Sequence, residues 1–339
     1  MKDIAVRCGV SIATVSKALN GQSDISDETR KKITRVADEL GYLTNSAARA
    51  LKTNRTFNLG VLFEDEGSRG LTHEFFAAVL NSFKSEAEAS GYDITFIGNQ
   101  EFGSRKSSYL QHCRYRGVDG LVIACVDFHD EQVLELISSD LPIVTIDHLF
   151  RQKPAVLSDN VEGTAALVRF AYERGHRKIA FIHGEDNVAV TALRFSGFQR
   201  TTSELKLNIP EEYIVSSFYY QPDRCYQAVK QLLSLPNRPT CILFPDDFAT
   251  LGGIRAIEES GLKIPDDISF MGYDGILLSE VVSPRITTYR QDTAALGSTA
   301  ARKLIQLIEN PDITPEPVIV SGKLIPGESV NRIPITSCD

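Results

Sequence analysis

The sequence predicts a small all-helical N-terminal head followed by a large α/β body built from two lobes with parallel sheets. Three observations carry this. Charge is split unevenly along the chain, and two short helices joined by a glycine turn open it. From residue 58 onward, short apolar strands alternate with amphipathic helices. With 339 residues the chain exceeds one ordinary domain of about 100–200 residues. A membrane span needs about 18 or more consecutive apolar residues, and no such run occurs. The start Met1-Lys2-Asp3-Ile4 lacks the apolar core of a secretory signal. The six cysteines stand singly, without zinc or C-x-x-C spacing. A cytoplasmic protein without membrane attachment is expected.

The net charge of −8 argues on its face against nucleic acid as a partner. Its distribution reverses that inference. Met1 to Phe57 holds ten basic and six acidic residues, a surplus of four positive charges, so the remainder carries −12. A basic segment on an acidic chain suggests a nucleic-acid module, although such a surplus also occurs on solvated helix faces.

Within the head, Asp3 to Cys8 reads as a short helix with Ile4, Ala5 and Cys8 on one face. Gly9-Val10-Ser11 is a tight turn whose serine is suited to capping the next helix. Ile12 to Leu19 forms that helix, burying Val15 and Leu19, and Asn20-Gly21 stops it. Ser26 caps a third helix from Asp27 to Leu40, with Asp27 and Glu28 at the positive end of its dipole and Ile33, Val36, Ala37 and Leu40 as its apolar stripe. Two helices across a three-residue turn, backed by a third, is a helix-turn-helix layout; a structural cap of the same size is the alternative. The stretch 45–55 favours helix but is too short to be stable alone. It suits either a hinge that becomes helical when held on DNA or a plain linker.

In the body, strands are expected at Leu59–Phe63, Asp93–Ile97, Gly120–Val126, Ile143–Asp147, Lys178–Ile182, Ile214–Ser217, Cys241–Phe244, Ile268–Gly272, Ile286–Arg290 and Val318–Ile325. Helices lie between them near Glu74–Ser90, Ser104–Arg116, Asp130–Ser138, Val161–Arg174, Thr191–Leu205, Asp223–Leu235, Phe248–Ser260 and Thr293–Glu309. Continuous apolar strands separated by helices mean parallel sheets covered on both faces. Ligands of such folds bind beyond the carboxyl ends of the strands. Five of those ends carry carboxylates: Asp127, Asp147, Glu185-Asp186, Asp246-Asp247 and Asp274. No metal-spaced histidine cluster, phosphate-binding glycine motif or nucleophile elbow is present. The body therefore reads as a binding module for a small polar ligand, with no catalytic residue, metal or cofactor expected.

The motifs also carry a family resemblance. The head Lys2-Asp3-Ile4-Ala5, Cys8-Gly9-Val10-Ser11, Thr14-Val15-Ser16 and Leu40-Gly41-Tyr42 resembles the lactose-repressor (LacI/GalR) family of bacterial transcription regulators. So do Asp159-Asn160, Arg174-Gly175-His176-Arg177, Pro265-Asp266-Asp267-Ile268-Ser269 and Gly272-Tyr273-Asp274 in the body. The resemblance runs from residue 1 to about 330. It implies a helix-turn-helix domain over 1–44, a hinge helix over 45–57, and a periplasmic-binding-protein type I body over 58–333. The body's lobes would be discontinuous: about 58–159 plus 289–320, and about 160–288 plus 321–333.

The resemblance further implies a repressor of carbohydrate-metabolism genes that binds a palindromic double-stranded DNA operator as a homodimer and is released by a sugar-like effector. A co-repressor logic or a non-sugar effector is the alternative, and a solute-binding protein or enzyme is a more distant one. Ile12, Ala13 and Lys17 would read bases, and Thr14, Ser16 and Asn20 would meet phosphates. Ala48, Arg49, Leu51 and Lys52 would enter the minor groove, with Leu51 as a wedge between base steps. Arg194, Asp246 and Asp274, with Asp127 and Asp147 as further candidates, would hold effector hydroxyls, while Phe75, Phe76 and Tyr220 would stack on a sugar ring. Departures from the pattern include Asp246 in place of a frequent asparagine and Thr44 in place of proline. Val188 and Val190 stand where purine binders are polar, which disfavours a nucleobase. No leucine heptad follows residue 330, so dimers without a tetramer-forming tail are expected.

Overall fold

The computed structural model describes the chain apart from residues 20, 21, 23, 43–54, 65–69, 100, 103–104, 313–315 and 335–339. The chain forms two compact units, Met1–Phe57 and Asn58–Asp339.

The head is three helices: α1 (Lys2–Cys8), α2 (Ile12–Leu19) and α3 (Asp27–Glu39). Gly9 ends α1 in the left-handed conformation (φ 70°) that glycine adopts at no steric cost. Ser11 then accepts the Thr14 N–H at 3.0 Å, opening α2, and Ser26 accepts the Thr29 N–H, opening α3. Ile4, Cys8, Val15, Ala18, Ile33 and Val36 are among the side chains that make the head's core. Two expectations shift by a position. Ala18 is fully buried and Leu19 only partly so, while Leu40 is 36% exposed because α3 ends at Glu39 and Leu40 sits in the capping turn. The hinge expected over 45–57 falls outside the described residues as far as 54, and Arg55 to Phe57 are not helical.

The body holds two six-stranded sheets of one topology. In chain order its elements begin with β1 (Asn58–Phe63), α4 (Glu74–Ala89), β2 (Asp93–Ile97), α5 (Tyr109–Arg116), β3 (Gly120–Ala124), α6 (Glu131–Ser138), β4 (Ile143–Ile146) and β5 (Ala155–Ser158). The second run is α7 (Asn160–Glu173), β6 (Ile179–His183), α8 (Ala189–Glu204), β7 (Ile214–Ser216), α9 (Pro222–Leu233), β8 (Cys241–Leu243), α10 (Thr250–Glu259), β9 (Ser269–Asp274) and α11 (Leu278–Val281). The chain closes with β10 (Thr287–Arg290), α12 (Thr293–Glu309), β11 (Val318–Val320) and β12 (Lys323–Ile325). The first sheet runs β11-β5-β4-β3-β1-β2 and the second β12-β10-β9-β8-β6-β7. Within these two sheets every pairing is parallel except β10 with β12, and Glu101–Phe102 pairs antiparallel with Arg105–Lys106 in a separate two-stranded ribbon. In each sheet the strand order reverses at its first strand, which creates a crevice at the carboxyl ends.

Several expected elements are corrected. The strand expected over Val318–Ile325 is two strands in different sheets. The chain crosses at Gly322, where an added Cβ would lie 2.3 Å from the Arg290 carbonyl oxygen. The crossing expected near 289 falls after Arg290, since β10 lies wholly in the second sheet. β5 was not anticipated: four residues directly after Pro154 give too short a signal. The helix expected from Ser104 starts at Tyr109, because Ser108 and Gln111 form a reciprocal capping box there.

Candidate functional site

Two sites emerge, one in each unit. On the head, α2 presents an exposed face. Ile12 is 45% exposed, and Ala13 and Lys17 are also exposed. Lys17 Nζ meets Asp24 at 2.5 Å, an ion pair in which both partners are about half exposed. That pair holds the Asp24 carboxyl below its usual range, chiefly through the hydrogen bond from Lys17. Thr14 Oγ1 lies 2.9 Å from Ser11 Oγ, tying its hydroxyl to the turn, and Ser16 is half-buried. Asn20, Ala48, Arg49, Leu51 and Lys52 lie outside the described residues.

In the body, a cavity of about 280 Å3 opens between the carboxyl ends of the two sheets. Its lining comes from loops just past the strands: Asp127 after β3, Asp147 and His148 after β4, Glu185 after β6, Phe218 to Gln221 after β7, Asp274 at the end of β9 and Gln291 after β10. His73, Phe75 and Phe76 line it from the start of α4.

Its polar floor is rigidly built. Arg194, 6% exposed on α8, donates from Nε to Asn160 Oδ1 at 2.8 Å and from Nη1 to the Pro245 carbonyl at 2.6 Å. The guanidinium also lies 3.6 Å over the Tyr273 ring, a cation–π contact out of water. Gly163 permits this stack, since a Cβ there would come within 2.2 Å of the Tyr273 hydroxyl. Asp147 accepts from the Ser158 N–H at 2.6 Å and its hydroxyl at 3.0 Å. Asp274 accepts from Gln291 Nε2 at 2.8 Å. Arg194 Nη2 and Asp274 stand 3.7 Å apart, too far for a hydrogen bond, so a hydroxyl resting against both from the cavity would accept from the guanidinium and donate to the carboxylate.

Burial raises the carboxyl pKa values of this floor. The Asp274 carboxyl is pushed up to about 6 by burial, against the pull of Arg194 and Gln291. Asp147 is raised as well, burial outweighing the Ser158 bonds and Arg194. Above this floor stand aromatic rings. Phe128 stacks on His148 with centroids 4.1 Å apart, and Phe76 lies 5.0 Å from His73.

Of the expected effector residues, the structure brings Phe75, Phe76, Asp127, Asp147, Arg194, Tyr220 and Asp274 to this one cavity. Asp246 is not among its lining residues. It is buried, and its two oxygens accept the N–H groups of Tyr220 and Ala249, each at 2.7 Å. Tyr220 also differs from expectation: His73 covers one face of its ring, with centroids 3.6 Å apart, so that face is unavailable to a sugar. Asn160 and Gln291 were not anticipated. Neither is charged, and no pattern along the chain shows that Asn160 orients Arg194 from 34 residues away.

The family models agree with this division. Residues 1–45 match the bacterial regulatory proteins of the lacI family, and 168–330 match a periplasmic binding protein-like domain. The ribose operon repressor of Haemophilus influenzae is 32% identical over 97% of this chain and 98% of its own length. The chain belongs to the LacI family. The HTH-type transcriptional repressor PurR of Escherichia coli is 31% identical over 97% of this LacI-family chain and 96% of its own. The lac repressor dimer bound to operator and the anti-inducer ONPF superposes with a TM-score of 0.77 at 25% identity, covering 97% of this chain and 98% of the other. As a LacI-family member the chain is a DNA-binding transcriptional regulator with two parallel-sheet lobes. Among the described residues, no helix is long and apolar enough to cross a membrane.

Proposed function

We propose that this regulator is a repressor that binds a palindromic operator as a homodimer and is released when a small, neutral, sugar-like effector enters the body cavity. One observation carries the effector reading: Arg194, Asp274 and Gln291, all buried, and the half-buried Asp147 are gathered on one floor. Carboxylates accept hydroxyl protons and a guanidinium donates to hydroxyl oxygens, so this set suits a polyol. Among the described lining residues Arg194 is the one permanent cation, beside Asp127, Asp147, Glu185 and Asp274, and this balance disfavours phosphates and sugar acids. Carbohydrate control also fits the relative named for a ribose operon. The effector would act by population shift, favouring a lobe arrangement that binds DNA less tightly.

On the head, Ile12, Ala13 and Lys17 would read base edges, Thr14, Ser16 and Asn20 would position against phosphates, and the hinge residues Ala48, Arg49, Leu51 and Lys52 would enter the minor groove. The chain's repressor relatives support a regulator rather than an enzyme. The test is fluorescence anisotropy of the full chain on its selected operator, with and without each D-aldopentose and D-aldohexose. Release by one neutral sugar and by no sugar phosphate is expected. Tighter operator binding with a sugar would establish co-repression instead, and no response to any sugar would overturn the effector reading.

A further inference from the structure

We propose that Asp246 is a positioning residue for effector selection: its buried carboxylate holds Tyr220 in a left-handed backbone conformation, and the Tyr220 ring, packed on His73 of the opposite lobe, closes the cavity at the size of one sugar ring. The geometry begins at the backbone. Tyr220 has φ +55°, a strained conformation that a bulky side chain rarely adopts. Something must hold it there. Asp246 accepts the Tyr220 N–H on one oxygen and the Ala249 N–H on the other. A carboxylate can accept two N–H groups at once, whereas an asparagine would turn its own N–H2 toward one of them. Glu185 accepts the neighbouring Tyr219 N–H, and Thr191 bonds the Tyr219 hydroxyl at 2.9 Å, so the adjoining residue is pinned as well.

The strained backbone directs the Tyr220 ring toward the first-sheet lobe. There its centroid lies 3.6 Å from His73, the residue preceding α4, while on its own lobe Phe248 lies 5.4 Å away with its ring parallel within 7°. Phe248 is two residues beyond Asp246, so one short segment supplies both the backbone anchor and a packing ring. A second contact between the lobes lies beside the first: Glu74 Oε1 accepts the Leu277 N–H at 2.7 Å. The cavity these contacts bound, about 280 Å3, falls below the range of about 300–1,000 Å3 usual for drug-sized ligands. A volume of that size suits one sugar ring, and Tyr220 and His73 fill the space that a second would need. This size assignment rests on the sugar reading above, whereas the positioning role does not.

The experiment uses the full chain, its Asp246→Ala, Asp246→Asn, Tyr220→Ala and Tyr220→Phe variants, and two readouts. The first is the His73 ring-proton resonance, assigned with His73→Gln, which stacking on Tyr220 displaces upfield. The wild type and Tyr220→Phe should show the displacement, Asp246→Ala and Tyr220→Ala should lose it, and Asp246→Asn should reduce it. The second is calorimetry with the D-aldopentoses, the D-aldohexoses, cellobiose, maltose and lactose. Asp246→Ala and Tyr220→Ala should weaken monosaccharide binding about tenfold through lost preorganisation and admit a disaccharide that the wild type rejects. An unchanged His73 resonance in a folded Asp246→Ala or Asp246→Asn protein would overturn the positioning role. Disaccharide binding by the wild type would overturn the size limit. If no sugar binds any variant, the sugar reading and its size limit fail together, while the resonance still decides the positioning role.

Discussion

The head and the body place charged groups in opposite surroundings. On the head, Lys17 stands in water and is paired with an equally exposed Asp24, and Ile12 is 45% exposed beside them. In the body, Arg194 and Asp274 are each 6% exposed, and the Asp274 carboxyl is driven up to about 6 by burial. The contrast fits what each surface is proposed to bind. Operator phosphates are polyanionic, and attraction to them works across solvent. A neutral polyol offers only hydroxyls, so its donors and acceptors must be discriminated where water is excluded and every unmet hydrogen bond is costly. On that proposal the same residue types would contribute long-range attraction in one unit and short-range specificity in the other.

If that contrast holds, substitutions in the body act through burial and those on the head act through DNA contact. The largest effect is expected for Arg194→Ala. Removing one partner of a buried charge pair strands Asp274 and Asp147, so the body should lose about 3–5 kcal/mol in urea unfolding together with all response to sugar. An unfolding free energy equal to the wild type would show that Arg194 is far better solvated than its surroundings indicate.

The next prediction concerns pH. Asp274 has a folded-state pKa above its unfolded value of 3.8, so the folded chain binds the proton more readily. Its contribution to stability is greatest at low pH and is lost as pH rises through about 6. Asp274→Asn, permanently neutral, should therefore gain in Tm on the wild type between pH 5 and pH 8. Sugar affinity of the wild type should run the other way, falling as pH drops through about 6, because a hydroxyl donates to the ionised carboxylate. A Tm difference that does not change with pH would place Asp274 in water.

On the head, Lys17→Ala should relax preference at one base pair by about 1–3 kcal/mol, read by binding-site selection, with body stability untouched. The smallest effect is expected from Asp24→Asn. Freeing Lys17 from its partner should tighten operator binding a few-fold at most, and high salt should erase the gain. A salt-independent gain would mean that Asp24 itself opposes a particular base.

Much of this molecule was legible in the chain, for local reasons. Ser11, Ser26 and Gly9 mark helix ends through bonds and dihedral angles made within a few residues. The alternation of apolar strands with amphipathic helices marks parallel sheets because a strand buried on both faces admits few polar residues. The carboxyl-end rule then directed attention to Asp147 and Asp274, which the structure places on one floor. What could not be read are the matters settled at a distance. Asp246 and Asp274 look alike as aspartates at strand ends. Only the folded chain distinguishes them, because the Tyr220 and Ala249 N–H groups occupy both Asp246 oxygens while Asp274 faces the cavity. Gly322 likewise reads as an ordinary residue within an apolar run until the Arg290 backbone is packed against it and the chain must cross between sheets. Local bonding and periodicity lie along the sequence, whereas the direction a side chain faces depends on which remote backbone groups have already claimed its atoms.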